Sequence, residues 1–194
     1  MTTSTEEAPT RREQILATAA DLFAARGFHG VSVADLGSAC GISGPALYKH
    51  FASKDAVLAE MLVDISVRLL DVGRERVAAA SGPEDALRGL VDWHVDFALR
   101  HRALIIVQDR DWESLPVDAR ARVRDLQRAY VDLWADRLRL LHAGLDLTAA
   151  RAMAHAAFGL INSTPRTGAL PDPSLHDLLI AMALRALLPA SGDA

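Results

Sequence analysis

Ser32–Phe51 reads SVADLGSACGISGPALYKHF, and its punctuation decides the fold. Ser32 and Asp35 stand at the S-x-x-D spacing of a capping box. The serine hydroxyl accepts the amide of the third helical residue, and the acid reaches back to the cap. A helix therefore starts near Val33. Leu36 and Ala39 or Cys40 face one way at helical spacing. Gly41 stops the helix, because glycine turns sharply without a Cβ penalty. Ile42 follows as an apolar plug. Ser43 is a second N-cap, and Pro45 falls in the first turn of the next helix, where its missing N–H costs nothing. Leu47 and Phe51 are four apart, so they share a face and bury against the first helix. The other face of this nine-residue rod, Ser43–Phe51, presents Pro45, Ala46, Tyr48, Lys49 and His50. A short helix with its apolar side pinned and its polar side free suits docking in a DNA major groove.

Gly41–Lys54, GISGPALYKHFASK, resembles the recognition segment of the TetR family of one-component bacterial repressors. Ile15–Phe28, ILATAADLFAARGF, resembles the first helix of that family. The resemblance covers Arg11 to Met61; beyond that, only length and helical pattern agree. It implies an all-α fold of about nine helices. An N-terminal three-helix helix-turn-helix domain, residues 10–55, would precede a helical ligand-binding and dimerisation domain, residues 56–189, with loose tails at 1–9 and 190–194. It further implies that Ser32, Tyr48, His50 and Lys54 hold phosphates, while Val33, Ala34, Ser43, Gly44, Pro45 and Lys49 face base edges. Lys54 would sit at a helix N-terminus, where amides also bind phosphate. Lys49 is the best candidate for a guanine contact. Ala34, Gly44 and Ala46 lack hydrogen-bonding side chains, so readout leans on Lys49, methyl contacts and DNA shape. Two blander readings stay open: Tyr48 as a core aromatic and Lys49 as a solvated surface lysine. Cys40 reads as a small buried thiol.

The 194 residues suffice for one large domain or two small ones. Hydrophobic residues make up 51%, enough for a packed core. The single cysteine excludes an intramolecular disulfide and a cysteine-based metal site. No cofactor is implied. The polar start MTTSTEEAPT lacks a signal pattern, and no apolar run is long enough to span a membrane, so the expected location is cytoplasmic. A net charge of −4 argues mildly against DNA, and the N-terminal part is not basic by count. Phosphate binding needs local placement of cations, not a basic total.

Outward from the organising stretch, Thr10 caps a helix to Arg26 with Ile15, Ala19, Leu22 and Phe23 on its apolar stripe, and Gly27 ends it. Arg11 and Arg12 are phosphate contacts or a solvated helix end. Ser53 caps a long helix from Lys54 to about Ala80, striped by Leu58, Met61, Leu62, Ile65, Leu69 and Val72. Ser81-Gly82-Pro83 breaks the chain, and Pro83 opens a helix to about His101. A shorter segment follows, Arg102–Glu113. Pro116 and Asp118 begin a long helix to about Ala143, with Arg120, Arg122, Arg124 and Arg128 on a solvated face. Two more helices close the chain, about Thr148–Ser163 and Ser174–Leu188.

The first of that last pair is crowded with small residues; the second is apolar nearly all round and needs burial on more than one face. A two-fold interface with the same pair of another subunit supplies it, through Ala156, Leu160, Leu178, Met182 and Leu187. The family resemblance implies the same homodimer. A fully intrachain core is the alternative.

The resemblance also implies that a small molecule entering the C-terminal domain releases DNA. Trp93, His94, Phe97, Gln108, Asp111, Trp112, Tyr130, Trp134 and Asn162 are the candidate pocket residues, aromatic walls with a few polar groups. The Q-D-R-D-W-E-S-L-P run resembles members tied to acyl-CoA metabolism, which makes acyl-CoA or another apolar ligand the expected effector.

Two other classes of function compete. An all-helical enzyme would draw on His94 with Asp96, or His101 with Asp109. Yet i,i+2 residues lie on different helix faces, and no nucleophile elbow or metal motif is present. A scaffold would use the helix-turn-helix for protein contacts alone.

Overall fold

The computed structural model describes residues 10–167 and 170–189. The expected tails at 1–9 and 190–194 lie outside the described residues. These form nine α-helices and no strand: α1 Arg11–Arg26, α2 Val33–Ala39, α3 Gly44–Leu47, α4 Lys54–Ala79, α5 Pro83–Arg100, α6 Arg102–Asp111, α7 Val117–Leu141, α8 Leu147–Ile161 and α9 Asp172–Leu187. The all-α expectation is met. Among the described residues no helix is long and apolar enough to cross a membrane.

The first three helices begin where their caps dictate. Thr10 and Glu13 form a full capping box at α1, and Ser32 and Asp35 form another at α2. Each such cap is worth ~1 kcal/mol of helix stability. Gly27 and Gly41 take φ of 79° and 66°, left-handed values that end the two turns without a Cβ penalty. α3 corrects the nine-residue rod. Only Gly44–Leu47 is α-helical, and the chain then tightens, with Lys49 N–H donating to the Ala46 carbonyl and His50 N–H to Leu47. Such i→i+3 bonds close a terminal turn while Leu47 and Phe51 both stay buried.

α4 runs through two cores. Val57, Leu58, Met61 and Leu62 join Ile15, Phe23, Leu36 and Leu47 in the N-terminal one. Ile65 and Leu70 join α5, α7, α8 and α9 in the larger one. The expected stripe holds to Ile65 and then rotates: Leu70 and Gly73 are buried, whereas Leu69 and Val72 are half-buried. The reason is a close crossing by α7. A Cβ on Gly73 would lie 2.8 Å from Tyr130 Cε2 and 3.1 Å from Leu133 Cδ2.

Three other expectations change. Cys40 is half-buried at the C-cap of α2, where its carbonyl accepts from Arg11, so the buried thiol is not found. Arg120 is not solvated; it donates to Glu113 Oε2 and to the Glu113 and Leu115 carbonyls, closing the turn before α7. Leu187 does not belong to an outer face. It is 1% exposed, held in the chain's own core where the His142 ring meets its carbonyl at 2.7 Å. Ala156 and the α9 residues Leu178 and Met182 are exposed, and Leu160 is half-buried.

Candidate nucleic-acid interface and effector cavity

The outer surface of α2 and α3 is built from backbone turns held tightly from behind. Gly37 sits under the α2–α3 turn. A Cβ there would lie 2.9 Å from Gly44 N and from Ile42 O. Arg11 and Arg12, at the start of α1, cap the far ends. Arg11 donates to the Cys40 carbonyl; Arg12 donates to the His50 carbonyl and to Glu60, and lies 4.2 Å over the Phe51 ring. Both arginines stay exposed at the helix start, as the blander reading expected, but their guanidinium groups are engaged in these internal ties.

On this frame Ser32, Ala34, Ser43, Pro45, Tyr48 and Lys49 are exposed, and Val33, Gly44 and His50 are half-buried. Tyr48 is 56% exposed, so the core-aromatic alternative is excluded. Val33 and Ala34 adjoin Gly44, since a Cβ there would meet Ala34 Cα at 3.8 Å and Val33 Cγ1 at 3.9 Å. The starts of α2 and α3 thus make one continuous surface. Two hydroxyls are already engaged: Ser32 Oγ accepts from Asp35 N–H at 3.1 Å, and Ser43 Oγ from Ala46 N–H at 3.3 Å. Lys54 departs from the expected phosphate role. Its ammonium donates to the Phe28 and Val31 carbonyls, both at 2.8 Å, and sits 4.2 Å over the Phe28 ring. Those carbonyls end the α1–α2 turn and offer a cation a ready site.

The same turn is held from the other side by α6. Asp111, 5% exposed, accepts from Phe28 N–H at 3.3 Å and pairs with Arg110. Arg110 in turn donates to the Phe23 and Ala24 carbonyls, the last of α1. We expect Asp111→Ala to lower stability by about 1–3 kcal/mol, because it strands a buried amide and a guanidinium. Thermal unfolding and amide exchange at Phe28 read this; an unchanged midpoint would show the clasp to be idle.

Beyond the clasp lies a cavity of about 210 Å³ in the C-terminal core. Leu104, Ile105 and Gln108 of α6 form one wall, Ile65 and Leu69 of α4 another, and Leu126, Tyr130 and Val131 of α7 a third. Five of the nine candidates line it: His94, Phe97, Gln108, Tyr130 and Asn162. The other four do not. Trp93 turns away and donates its indole N–H to the Leu69 carbonyl at 3.3 Å. Asp111 belongs to the clasp, and Trp112 packs with the N-terminal core. Trp134 is wholly buried behind the cavity, edge-on to His94 and Phe158. Ser66, Gln127, His155 and Phe158 were missed. Phe158 had a legible signal, as the lone aromatic in a helix of alanines and glycine.

One polar side of the cavity is a neutral chain, while the Asp109 carboxylate also lines the space. His94 Nε2 faces Asn162 Oδ1 at 3.2 Å, and Nδ1 faces the Tyr130 hydroxyl at 3.3 Å. The ring therefore carries its proton on Nε2, and Nδ1 accepts from Tyr130. His94 stacks on Phe158 with centroids 4.7 Å apart. Burial pulls His94 down to about 4, only partly offset by the Asn162 bond. Burial also raises the Tyr130 hydroxyl well above the phenol range, against a smaller lowering pull from the Trp134 N–H. That N–H meets no acceptor in good hydrogen-bond geometry. Since the folded value of His94 is depressed from about 6.5, protonation favours the unfolded chain. Its effect is absent above pH ~6.5 and grows as pH falls towards 4, to on the order of 3 kcal/mol. Urea midpoints should fall less steeply between pH 7 and 4.5 in His94→Gln than in the parent; equal slopes would contradict the buried neutral imidazole.

Neither carboxylate of the two candidate acid–base pairs is joined to its histidine. Asp96 pairs with Arg100, and Asp109 lies 4.0 Å from Arg166. Among the described residues no cluster of side chains could hold a metal ion.

Comparison with known proteins completes the site. A family model described as bacterial regulatory proteins, tetR family, matches residues 15–61. A second, described as tetracyclin repressor-like, C-terminal domain, matches residues 80–187. The chain is 28% identical to the transcriptional repressor KstR2 of Mycobacterium tuberculosis over 137 residues, 70% of this chain and 67% of that one. The structure of that ketosteroid regulator superposes with a TM-score of 0.80 at 22% identity, covering 95% of this chain and 98% of the other. The transcriptional regulator EthR of Mycolicibacterium smegmatis is 31% identical over 190 residues, 94% of this chain and 76% of that protein. The fold is shared by FadR of Bacillus subtilis in complex with stearoyl-CoA, with a TM-score of 0.71, 15% identity, and 89% and 97% of the two chains covered.

Proposed function

Because this chain belongs to the TetR family of bacterial regulatory proteins, and so is a DNA-binding regulator and not an enzyme, we propose that it is a homodimeric repressor released from a palindromic operator by a small, largely apolar ligand. The observation that carries the reading is the α2–α3 surface. Its apolar side is buried, and Tyr48 and Lys49 stand free. In this reading Tyr48 and His50 meet phosphates, Lys49 reaches a base edge, and Val33, Ala34, Ser43, Gly44 and Pro45 line the groove. Ser32 contributes through its position at the α2 N-terminus, its hydroxyl being engaged in the cap. In this reading the division is drawn at residue 55, at the start of α4, a helix whose first half packs in the N-terminal core and whose second half packs in the larger one.

The pairing face is α8 and α9. Ala156, Leu178 and Met182 leave an apolar strip at its surface, with Leu160 beside it. In this reading an isologous contact there pairs the two recognition segments for one side of a duplex. Met182→Glu with Leu178→Glu should convert a dimer to a monomer in sedimentation and weaken operator binding in parallel. A dimer that survives both would move the interface elsewhere.

The ligand acts through α6, whose one face lines the cavity and whose end clasps α1. A ligand that favours another placement of α6 shifts the separation of the recognition segments, by no more than its differential affinity for the two states. KstR2 is named a repressor and FadR is seen with stearoyl-CoA. Those names and the apolar cavity support an acyl ligand for this chain. Gel-shift assays on the upstream region of its own gene test the reading. A specific, salt-sensitive complex is expected without added ligand; a complex indifferent to sequence would contradict the operator reading, and no complex at all would leave only the scaffold.

A further inference from the structure

The hydrogen bonds beside the cavity all run one way. The Trp134 N–H approaches the Tyr130 oxygen from a wholly buried indole that has no other partner. If His94 donated from Nδ1, the Tyr130 oxygen would face two donors, and its own proton would meet no acceptor among the described residues. Tyr130 therefore donates to Nδ1, and His94 donates from Nε2 to Asn162 Oδ1. The run ends on the Asn162 amide nitrogen, which carries two N–H groups.

Those two donors are unspent. Asn162 is half-buried and lines the cavity, and its Nδ2 meets no acceptor among the described residues. The nearby hydroxyl is already engaged, since Ser66 donates to the Leu62 carbonyl at 2.6 Å. A fixed amide donor beside stacked aromatic rings is a place for a ligand oxygen to accept.

Charge narrows the class of ligand. No lysine or arginine stands among the described residues that line the space. His94 is buried and neutral, and His155 is exposed. Asp109 is the one carboxylate there. An ionised acid would shed its water with no fixed counter-charge and would meet the like charge of Asp109. An ionised amine would find that carboxylate 60% exposed and 4.0 Å from Arg166, so the attraction is screened. An uncharged acceptor sheds few waters and regains a hydrogen bond from Asn162.

We infer that the cavity selects by charge state: it takes an uncharged ligand whose inner end bears a hydrogen-bond acceptor, held by the Asn162 amide, and rejects the ionised acid and the ionised amine of the same shape. This rests on the reading of the apolar cavity as the effector site. It adds the residue that sets the specificity of that site, with Asn162 binding the ligand as well as bracing His94.

The test is calorimetric titration of the full-length protein at neutral pH with four probes of one shape: acetophenone, ethylbenzene, benzoate and benzamidinium. The first has an acceptor and no charge, the second has neither, and the last two carry a negative and a positive charge. We expect acetophenone to bind at least tenfold more tightly than either ion. Asn162→Asp keeps an oxygen for His94 and replaces the amide donor by an acceptor. It should lower the ratio of acetophenone to ethylbenzene affinity by about tenfold and raise the affinity for benzamidinium. A side chain that only braced His94 would leave that ratio unchanged. The ranking of probes on the parent protein stands whether or not the variant folds. Either ion binding as tightly as acetophenone, or an unchanged ratio in Asn162→Asp, would overturn the charge selection alone. No binding of any probe, ethylbenzene included, would overturn it together with the cavity reading. The titration contains no DNA, so neither result touches the gel shift of the ligand-free protein.

Discussion

Gly37→Ala is expected to abolish specific operator binding while the C-terminal core keeps its fold. That result runs against helix propensity, since alanine in a helix interior is favoured over glycine by ~1 kcal/mol. The space decides the sign. The new Cβ would lie 2.9 Å from the Gly44 nitrogen and the Ile42 carbonyl oxygen, and 3.0 Å from the Ser43 carbonyl carbon. All three are backbone atoms of the turn that sets the angle between α2 and α3. None can rotate away, so the turn must shift, and overpacking of this kind costs about 1–3 kcal/mol. The Ile42 N–H to Gly37 carbonyl bond, 2.8 Å, would strain with it. Fluorescence anisotropy with an operator fragment reads the loss, and urea unfolding reads the stability. A neutral or stabilising alanine with full DNA affinity would show that the close approach does not constrain the module.

The second large effect is at the surface itself. Tyr48→Ala with Lys49→Ala should weaken specific binding by at least about a hundredfold, because a good base contact and a phosphate contact are each worth about 1–3 kcal/mol. Stability should stay within ~0.5 kcal/mol of the parent, as both side chains are exposed and make no internal bond. The singles separate their roles. Lys49→Ala should relax discrimination at one base pair if the ammonium reads an edge, and reduce the salt slope by about 1 if it meets phosphate. Tyr48→Phe, which keeps the ring and loses the hydroxyl, should behave as a uniform weakening across sequences. Parent affinity in the double variant would mean that the surface faces something other than DNA.

Much of this was legible in the residues because the deciding signals are local. Thr10, Ser32, Ser43 and Ser53 cap the helices they were expected to cap, and Gly27, Gly41 and Gly144 take the positive φ that ends a turn. A hydroxyl three residues from its amide needs no knowledge of the rest of the chain. What was lost depends on partners far away in sequence. Lys54 reads as a free cation until the Phe28 and Val31 carbonyls, 26 and 23 residues earlier, close on it. The ties of Arg12, to His50 and Glu60, lie 38 and 48 residues on and were missed for the same reason. Of the three tryptophans, none lines the cavity: Trp134 is wholly buried behind it, Trp93 turns its indole N–H to the Leu69 carbonyl, and Trp112 packs with the N-terminal core. Gly37 and Gly73 carried a signal that went unused, since a glycine inside a helical pattern marks a close approach. Leu187 shows the limit of an all-round apolar helix: its pattern says that more than one face is covered, not which residue meets which partner.

Hydroxyl-radical footprinting of the full-length protein on the region upstream of its gene bears most directly on the α2–α3 surface as a paired groove reader. The account predicts two protected stretches on one face of the duplex, about 34–36 Å or a multiple apart, both erased by Tyr48→Ala with Lys49→Ala. A single unpaired patch, protection on opposite faces, or a footprint that survives the double substitution would contradict it.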